Sequence, residues 1–441
     1  MRKILSGRRG LSNQQSFRFT VDTSNVDGAQ TGAAGTFRVP IHNGTPTGGG
    51  AMAFIIDWGD GTASNVNSTN YAATTVHTYS PSDASYPIYT INCTGEVRGW
   101  GFGEMPSNVG ENDSVKLTSI LRWGSYIHTQ WSAFSGCASL LTIDALDSPT
   151  FESTSMYRMF FICTALTSIL KIANWDVSSI TSMNQTFYKC NAFNEGEIGI
   201  QPDLTSWDVS SVTTMLYMFA GCGSFNGKMF TLTSTTTTIQ SMFDMTVSAA
   251  SLPGIFNNGG SGSMFNWITN GLVGTALQET FAGSAAFNQS IRSWNVSGVT
   301  SMFKMFWGDG NAMAFNQLLN GWNVANVTNM CGMFGYCNSY QQRMEDWNVN
   351  SWTTLSSGSV TGLTDSTQTP AGWDMSTLYY DDLLVEWDTL YSFPGLSVAG
   401  TVNFGNTKYT GTNTAVTAAR TSLISKWGLG TATGIIDGGP V

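Results

Sequence analysis

The sequence predicts an α/β solenoid of stacked repeats, preceded by a small all-β sandwich and closed by an α/β C-terminal cap. Three observations predict it. A phenylalanine recurs about every 25 residues through the middle of the chain, alternating β-type runs occupy the region before it, and two stretches of helical spacing follow where the repeats fade. Composition agrees: 441 residues with 41% hydrophobic content supply a core, while 48 glycines and only 11% charged residues suit a turn-rich, weakly charged surface.

The first element is a basic arm, residues 1–15, where Arg2, Lys3, Arg8 and Arg9 cluster. It has a charged start but no apolar run of signal-peptide length, so it is not a secretory signal as written. No run of about 18 apolar residues exists to span a membrane, so no membrane insertion is expected. The net charge of −10 argues against nucleic acid, because neutralising phosphates requires clustered Lys and Arg.

Residues 16–100 carry the runs FRFTVDT, GTFRVPI, AMAFIIDW and YPIYTINCTGEV, which alternate as half-buried strands do, and Asp60-Gly61 is a turn signal between two of them. This is the sandwich. Residues 101–130 are a linker and N-terminal cap.

The repeats, about eight of them, occupy 131–362. Their anchors are Phe134, Phe160, Phe187, Phe219, Phe243, Phe281, Phe306 and Phe334. Three residues later comes a small slot held by Cys137, Cys163, Cys190, Cys222, Thr246, Ser284, Asp309 or Cys337. A second aromatic and then Asn or Gln follow in several copies (Asn194, Asn226, Asn288, Asn316, Gln341), and Trp175, Trp207, Trp294, Trp322 and Trp347 introduce Asp-Val or Asn-Val. Met215 and Phe219, at i and i+4 with Thr213 placed to cap, predict a short helix in each unit, followed by a short strand. One such piece cannot bury its apolar face, so the copies stack; eight layers at strand spacing make a rod of roughly 40 Å. The repeat core expected from the cleanest copies is Trp175, Phe187, Trp207, Phe219, Phe281, Trp294, Phe306, Trp322, Phe334 and Trp347.

From 363 to 441, Tyr380, Leu383, Leu384, Trp387 and Tyr391 fall at helical spacing, as do Val416, Ala419, Leu423, Ile424 and Trp427. Leu396 to Phe404 and GIIDGG read as strands. This segment caps the last layer.

The recurring W-[DN]-V, V-T-x-M, M-F and C-x-x-F-N resembles the BspA-like leucine-rich repeats, the DUF285 or mycoplasma lipoprotein-type repeat family, over about residues 131 to 355. That resemblance implies a solenoid of leucine-rich type. DWGDGT at 57–62, with His77-Thr78-Tyr79 and Tyr89-Thr90-Ile91, resembles a PKD-type β-sandwich. The middle copy departs from the pattern, with SMFNWITNGL in place of the Trp site. Family members are mostly bacterial surface proteins used for adhesion, and similar chains occur among bacteriophage structural genes. With no export signal read at the start, the resemblance implies a virion component, a tail fibre, spike or head-decoration protein, in which the arm docks on other virion proteins and the repeats face a host glycan or protein. The alternatives are a cell-surface adhesin, extracellular by another route, and a glycan-degrading depolymerase on the same scaffold.

Candidate chemistry is sparse. Five of the seven cysteines share the slot that Ser, Thr or Asp fills elsewhere, so they read as packed thiols; zinc sites want Cys or His pairs two to four residues apart, and only Cys331 and Cys337 come close, with no histidine beside them. His42 and His128 have no nucleophile pattern near them, and His77 lies where the β-sandwich that its segment resembles has a structural residue. A depolymerase would need two carboxylates across a groove; Asp176, Asp208, Glu279, Glu345 and Asp346 are the candidates, although Asp176 and Asp208 share a slot with Asn295, Asn323 and Asn348. Asp57 and Asp60 read as a hairpin rather than a calcium loop. No enzyme activity, cofactor or metal is expected. The aromatics outside the repeat pattern, Trp267, Trp307 and Tyr336, are the candidates for ligand contact. A homo-oligomer suits the low charge, but no heptad pattern fixes its number.

Overall fold

In the computed structural model the described residues are 16–26, 33–41, 53–67, 75–80, 87–103, 113–196, 199–247, 253–260, 264, 267, 269–353, 356–357, 360–361, 375–390, 402–404, 407–428 and 435–441. The chain divides into two compact units, Met1–Ser211 and Val212–Val441.

The first unit is organised by a seven-stranded sheet. Alternation of Phe17, Phe19 and Val21 inward with polar residues outward makes β1 (Phe17–Asp22) a strand with one buried face. It pairs antiparallel with β6 (Ile88–Glu96) and β7 (Leu117–Arg122). Beyond β6 lie β3 (Ala53–Asp57) and β4 (Ala63–Asn67), a hairpin closed by the Asp60-Gly61 turn. Beyond β7 the sheet becomes parallel, taking β9 (Thr142–Ile143) and β11 (Ser168–Ile169) from the first repeats. A ribbon of β2 (Thr36–Arg38) and β5 (Val76–Thr78) brings Phe37 within 6.0 Å of Phe19. The four expected upstream runs are strands; β7, within the segment read as a linker, is a further one.

The α/β solenoid expected from the sequence is overturned. The chain forms mostly short strands in mixed sheets. Among the described residues only two segments are α-helices, α1 (Thr377–Leu390) and α2 (Thr414–Gly428), and both lie beyond the repeats. Where Met215 and Phe219 predicted a helix, the chain makes successive turns: Met218 N–H donates to Met215 O and Ala220 N–H to Tyr217 O, the i to i−3 pattern. The alternate N–H groups leave the turn altogether. Met215, Tyr217, Phe219 and Gly221 donate to the carbonyls of Thr238, Gln240, Met242 and Asp244 in the next layer, as strands of a parallel sheet do.

A second feature forbids the helix. The residue two before each anchor Phe is left-handed: Ser132, Arg158 and Gln185 in the first unit, Tyr217, Ser241, Glu279 and Lys304 in the second, with φ of 52 to 56°, and Gly332 in the last copy. A non-glycine residue in that region costs about 1–2 kcal/mol. Interlayer hydrogen bonds offset it, because alternate N–H groups of the turn reach carbonyls of the next layer.

Side chains repeat with the backbone. Phe134, Phe160 and Phe187 stack at 5.4 and 5.6 Å in the first unit. In the second, Phe219, Phe243, Phe281, Phe306 and Phe334 stack at 5.7 to 5.9 Å, and Phe225, Phe256, Phe287, Phe315 and Tyr340 run beside them at 5.8 to 6.1 Å. The indole N–H of Trp294 donates to Met264 O at 3.0 Å and that of Trp322 to Ile291 O at 3.2 Å, so these two tryptophans satisfy their polar atoms on the preceding layer, whereas Trp175 Nε1 is buried without a partner. All ten residues expected in the repeat core are buried.

After the repeats, α1 buries Tyr380, Leu383, Leu384 and Trp387, and α2 packs against it. β12 (Val402–Asn403) pairs parallel with β13 (Ile435–Ile436), and Asp437 ties the group together through Arg420 Nε at 2.8 Å and Tyr380 Oη at 2.9 Å. Tyr391 lies outside the described residues.

Candidate functional site

The sequence-derived candidates are placed as follows. Arg2, Lys3, Arg8, Arg9 and His42 lie outside the described residues. Trp267 is 5% exposed, sandwiched between Phe230 and Trp294 at 6.4 and 5.3 Å, and donates to Phe230 O. Trp307 is 4% exposed beside Ala282 and Cys331, and Gly335 lies so flat on its ring that a Cβ there would sit 2.3 Å from a ring carbon. The two indoles expected at the surface are therefore interior. Tyr336 is half-buried, edge-on to Trp307 at 5.5 Å.

The acids hold turns. Asp176 accepts from Ser178 N–H at 3.2 Å and its hydroxyl at 2.6 Å, Asp208 from Ser210 N–H at 3.0 Å, and Asn295, Asn323 and Asn348 accept in the same way two residues on. These bonds hold both aspartates below their ordinary pKa. Glu345 is engaged by Arg343, and Asp346 accepts from Gly321 N–H at 3.2 Å. Glu279 is raised by burial, partly offset by Lys304. In the DWGDGT hairpin, Asp60 accepts from Thr62 and meets His77 Nε2 at 2.7 Å, while His77 stacks on Trp58. Among the described residues no three His, Cys, Asp or Glu are grouped to hold a metal ion, and no helix is long and apolar enough to cross a membrane.

What the sequence reading missed is an open groove in the first unit, of about 640 Å³, lined by Trp131, Glu152, Ser153, Thr154, Ser155, Tyr157 and Ser182. Trp131 is 56% exposed and stands perpendicular to Tyr157 at 6.2 Å. Its position is three residues before the anchor Phe134, the same place that Tyr157 takes before Phe160, so consecutive layers present one ring each.

The groove wall is held from beneath. β8 (Ile127–His128) pairs parallel with β10 (Thr150–Phe151), and the N–H groups of Glu152 and Ser153 both donate to His128 O, at 3.0 and 2.9 Å. The His128 ring is buried between Tyr126 Oη and Ser155 O, and burial lowers its pKa to about 4, so it is neutral at pH 7. Arg98 forks onto both carboxylate oxygens of Glu152, with Nη2 to Oε1 at 2.8 Å, and reaches Glu96 through Nε at 3.1 Å. This pairing holds Glu152 ionised, with its pKa below the ordinary value.

Two adjacent segments, 132–255 and 255–373, match the family described as "Mycoplasma protein of unknown function, DUF285", and together they cover more than half of the chain. The chain belongs to the DUF285 family. The match starts at Ser132, in the left-handed slot of the first layer, so the resemblance of the repeats is shown at the level of the family. Comparisons with curated proteins and with solved structures find no match. In DUF285 terms the groove draws on the first three layers, with all its lining residues but Trp131 inside the first matched segment, and Arg98, from before that segment, is bound to its Glu152.

Proposed function

We propose that this DUF285 chain is a non-enzymatic adhesion protein, displayed on a bacteriophage particle, that holds its repeats and the Trp131 groove toward a host surface. One observation carries the reading. Every other tryptophan whose side chain is described is buried in a core or a layer column, whereas Trp131 stands more than half exposed at the edge of a concave, hydroxyl-lined surface. Exposed aromatic area beside polar groups is the chemistry of recognition. A scaffolding role for the acids supports binding over catalysis, since Asp176 and Asp208 close turns in a slot that Asn fills equally. The particle setting rests on the resemblance of the repeats to surface and virion chains.

The test uses purified full-length protein and purified particles. Labelled protein should be retained on cells of the host and displaced by soluble host envelope material, with no reducing sugar released, and antibody against it should decorate intact particles. Protein that neither adheres nor decorates would overturn the reading; decoration of the bacterial surface without particles would move it to a cellular adhesin.

A further inference from the structure

We infer that the Trp131 groove is a binding site for a neutral sugar ring, a deepening that rests on the adhesion reading above. The exposed indole offers a flat apolar face of the size of a pyranose, whose axial C–H groups pack on such rings while its hydroxyls stay free at the rim. Those hydroxyls meet a matching set. Ser153, Thr154, Ser155 and Ser182 line the same surface, contributed by adjacent layers through the parallel bridge of Ser155 with Ser182.

Glu152 supplies the directional acceptor. An ionised carboxylate accepts about four hydrogen bonds, and Arg98 takes one on each oxygen. A further lone pair on each remains for a pair of vicinal hydroxyls. The fork fixes the plane of the carboxylate, and the two N–H bonds to His128 O fix its backbone, so the acceptor is pre-organised. Arg98 and His128 are thus positioning residues.

Charge selects the class of sugar. Among the described residues that line the groove Glu152 is the one charged side chain; of the nearby guanidiniums, Arg98 is taken up by Glu152 and Glu96, and Arg158 lies 4.9 Å over the Tyr157 ring with its Nε on Gln185 Oε1 at 2.6 Å. The charged group that lines the groove is thus anionic and both neighbouring guanidiniums are already engaged, which disfavours carboxylated or sulfated sugars. The volume of about 640 Å³ is on the scale of a small-ligand site and accommodates a short oligosaccharide.

The experiment measures binding of the full chain to short neutral oligosaccharides of glucose, galactose, mannose and N-acetylglucosamine, beside fragments of polygalacturonate and heparin, by calorimetry. At least one neutral oligosaccharide should bind, and none of the acidic ones should bind better. Trp131→Ala should weaken binding about tenfold or more, while Trp131→Phe retains part of it. Glu152→Gln, which keeps the shape and gives up the charge, should weaken binding and reduce the preference for neutral over acidic fragments. Thermal melting of each variant separates loss of the site from loss of the fold, and Trp131, being largely exposed, is expected to melt as wild type. Preference for the acidic fragments, no binding of the neutral panel at millimolar concentration, or unchanged affinity in Trp131→Ala would each overturn the inference. Retention of the same Trp131→Ala protein on host cells distinguishes the two failures: if it still adheres, adhesion stands and the groove is not its site.

Discussion

At the residue scale the cysteines show how one slot sets chemistry. The thiol of Cys163 lies 3.1 Å from Phe134 O and that of Cys190 lies 3.0 Å from Phe160 O, each reaching back one layer, and in the second unit the Ser284 hydroxyl makes the same bond to Phe243 O at 2.7 Å. The slot therefore wants a small donor, and sulfur chemistry is incidental to it. Burial pushes the Cys163 and Cys190 thiols well above their ordinary pKa, which starves them of the reactive thiolate. Cys163→Ser should change stability by less than about 1 kcal/mol, because the hydroxyl keeps the bond, whereas Cys163→Ala should cost about 1–3 kcal/mol through the lost donor and the small void. Urea unfolding midpoints check this, together with iodoacetamide labelling, which should reach Cys163 only once the chain unfolds. Rapid labelling of the native protein would contradict the account.

At the element scale the strongest periodic feature of the second unit is an amide ladder. Asn226 Oδ1 accepts from Asn257 N–H at 2.7 Å, Asn257 from Asn288 at 3.0 Å, Asn288 from Asn316 at 2.9 Å and Asn316 from Gln341 at 2.9 Å. Side-chain amides of Gln289, Gln317 and Gln342 donate to the same oxygens from the next layer. Each asparagine thus carries two interlayer bonds on one atom. Asn288→Ala strands Asn316 N–H and the Gln317 amide together and should destabilise by about 2–4 kcal/mol. Asn288→Asp keeps the acceptor and should cost less. Equal losses in the two variants, read from urea midpoints, would show that packing rather than the bond is at stake. Much of this element was legible: the anchor Phe, the second aromatic, the Asn and the Trp recur, and recurrence marks a column. The backbone between them was not. Met215 and Phe219 at i and i+4 suit a helix, but the same spacing serves a chain of turns whose alternate N–H groups bond to another layer, and no local signal announces that partner. Arg158, Gln185 and Lys304 are also not residues that advertise a left-handed conformation. The groove escaped for a related reason. Trp131 stands at a variable position of the repeat, filled in other copies by Tyr157, Asn184, Leu216, Gln240 or Phe303, which was readable, but Arg98 and Glu152 meet only through the fold.

At the scale of the whole molecule the two units carry buried titratable groups of opposite sign. In the first, His128 has a folded pKa near 4 against an ordinary 6.5, so between those values the unfolded chain binds a proton that the folded one refuses; stability is present above about 6.5 and is lost as pH falls toward 4. In the second, burial against Glu279 and Asp309 raises Asp244 from 3.8 to about 7, despite its bonds from Thr246, so the folded unit holds the proton; that stabilisation is complete below 3.8 and is lost as pH rises through about 7. Glu279, also raised, acts in the same direction as Asp244. The lowered carboxylates Asp60, Glu152, Asp176 and Asp208 titrate beneath this window. Lowering the pH from 8 to 5 should therefore weaken the first unit and strengthen the second, each by about 2 kcal/mol. Hydrogen exchange resolves the units separately. After correction for intrinsic rates, protection at the Phe134 and Phe160 amides should fall relative to that at Phe243 and Phe281 by about a hundredfold or more over this range. Asp244→Asn, neutral at every pH and still able to accept from Thr246, should flatten the response of the second unit and leave that of the first intact. Protection that moved in parallel in both units, or a second unit whose pH response survived Asp244→Asn, would sink the assignment of these two groups as the source of the molecule's pH dependence.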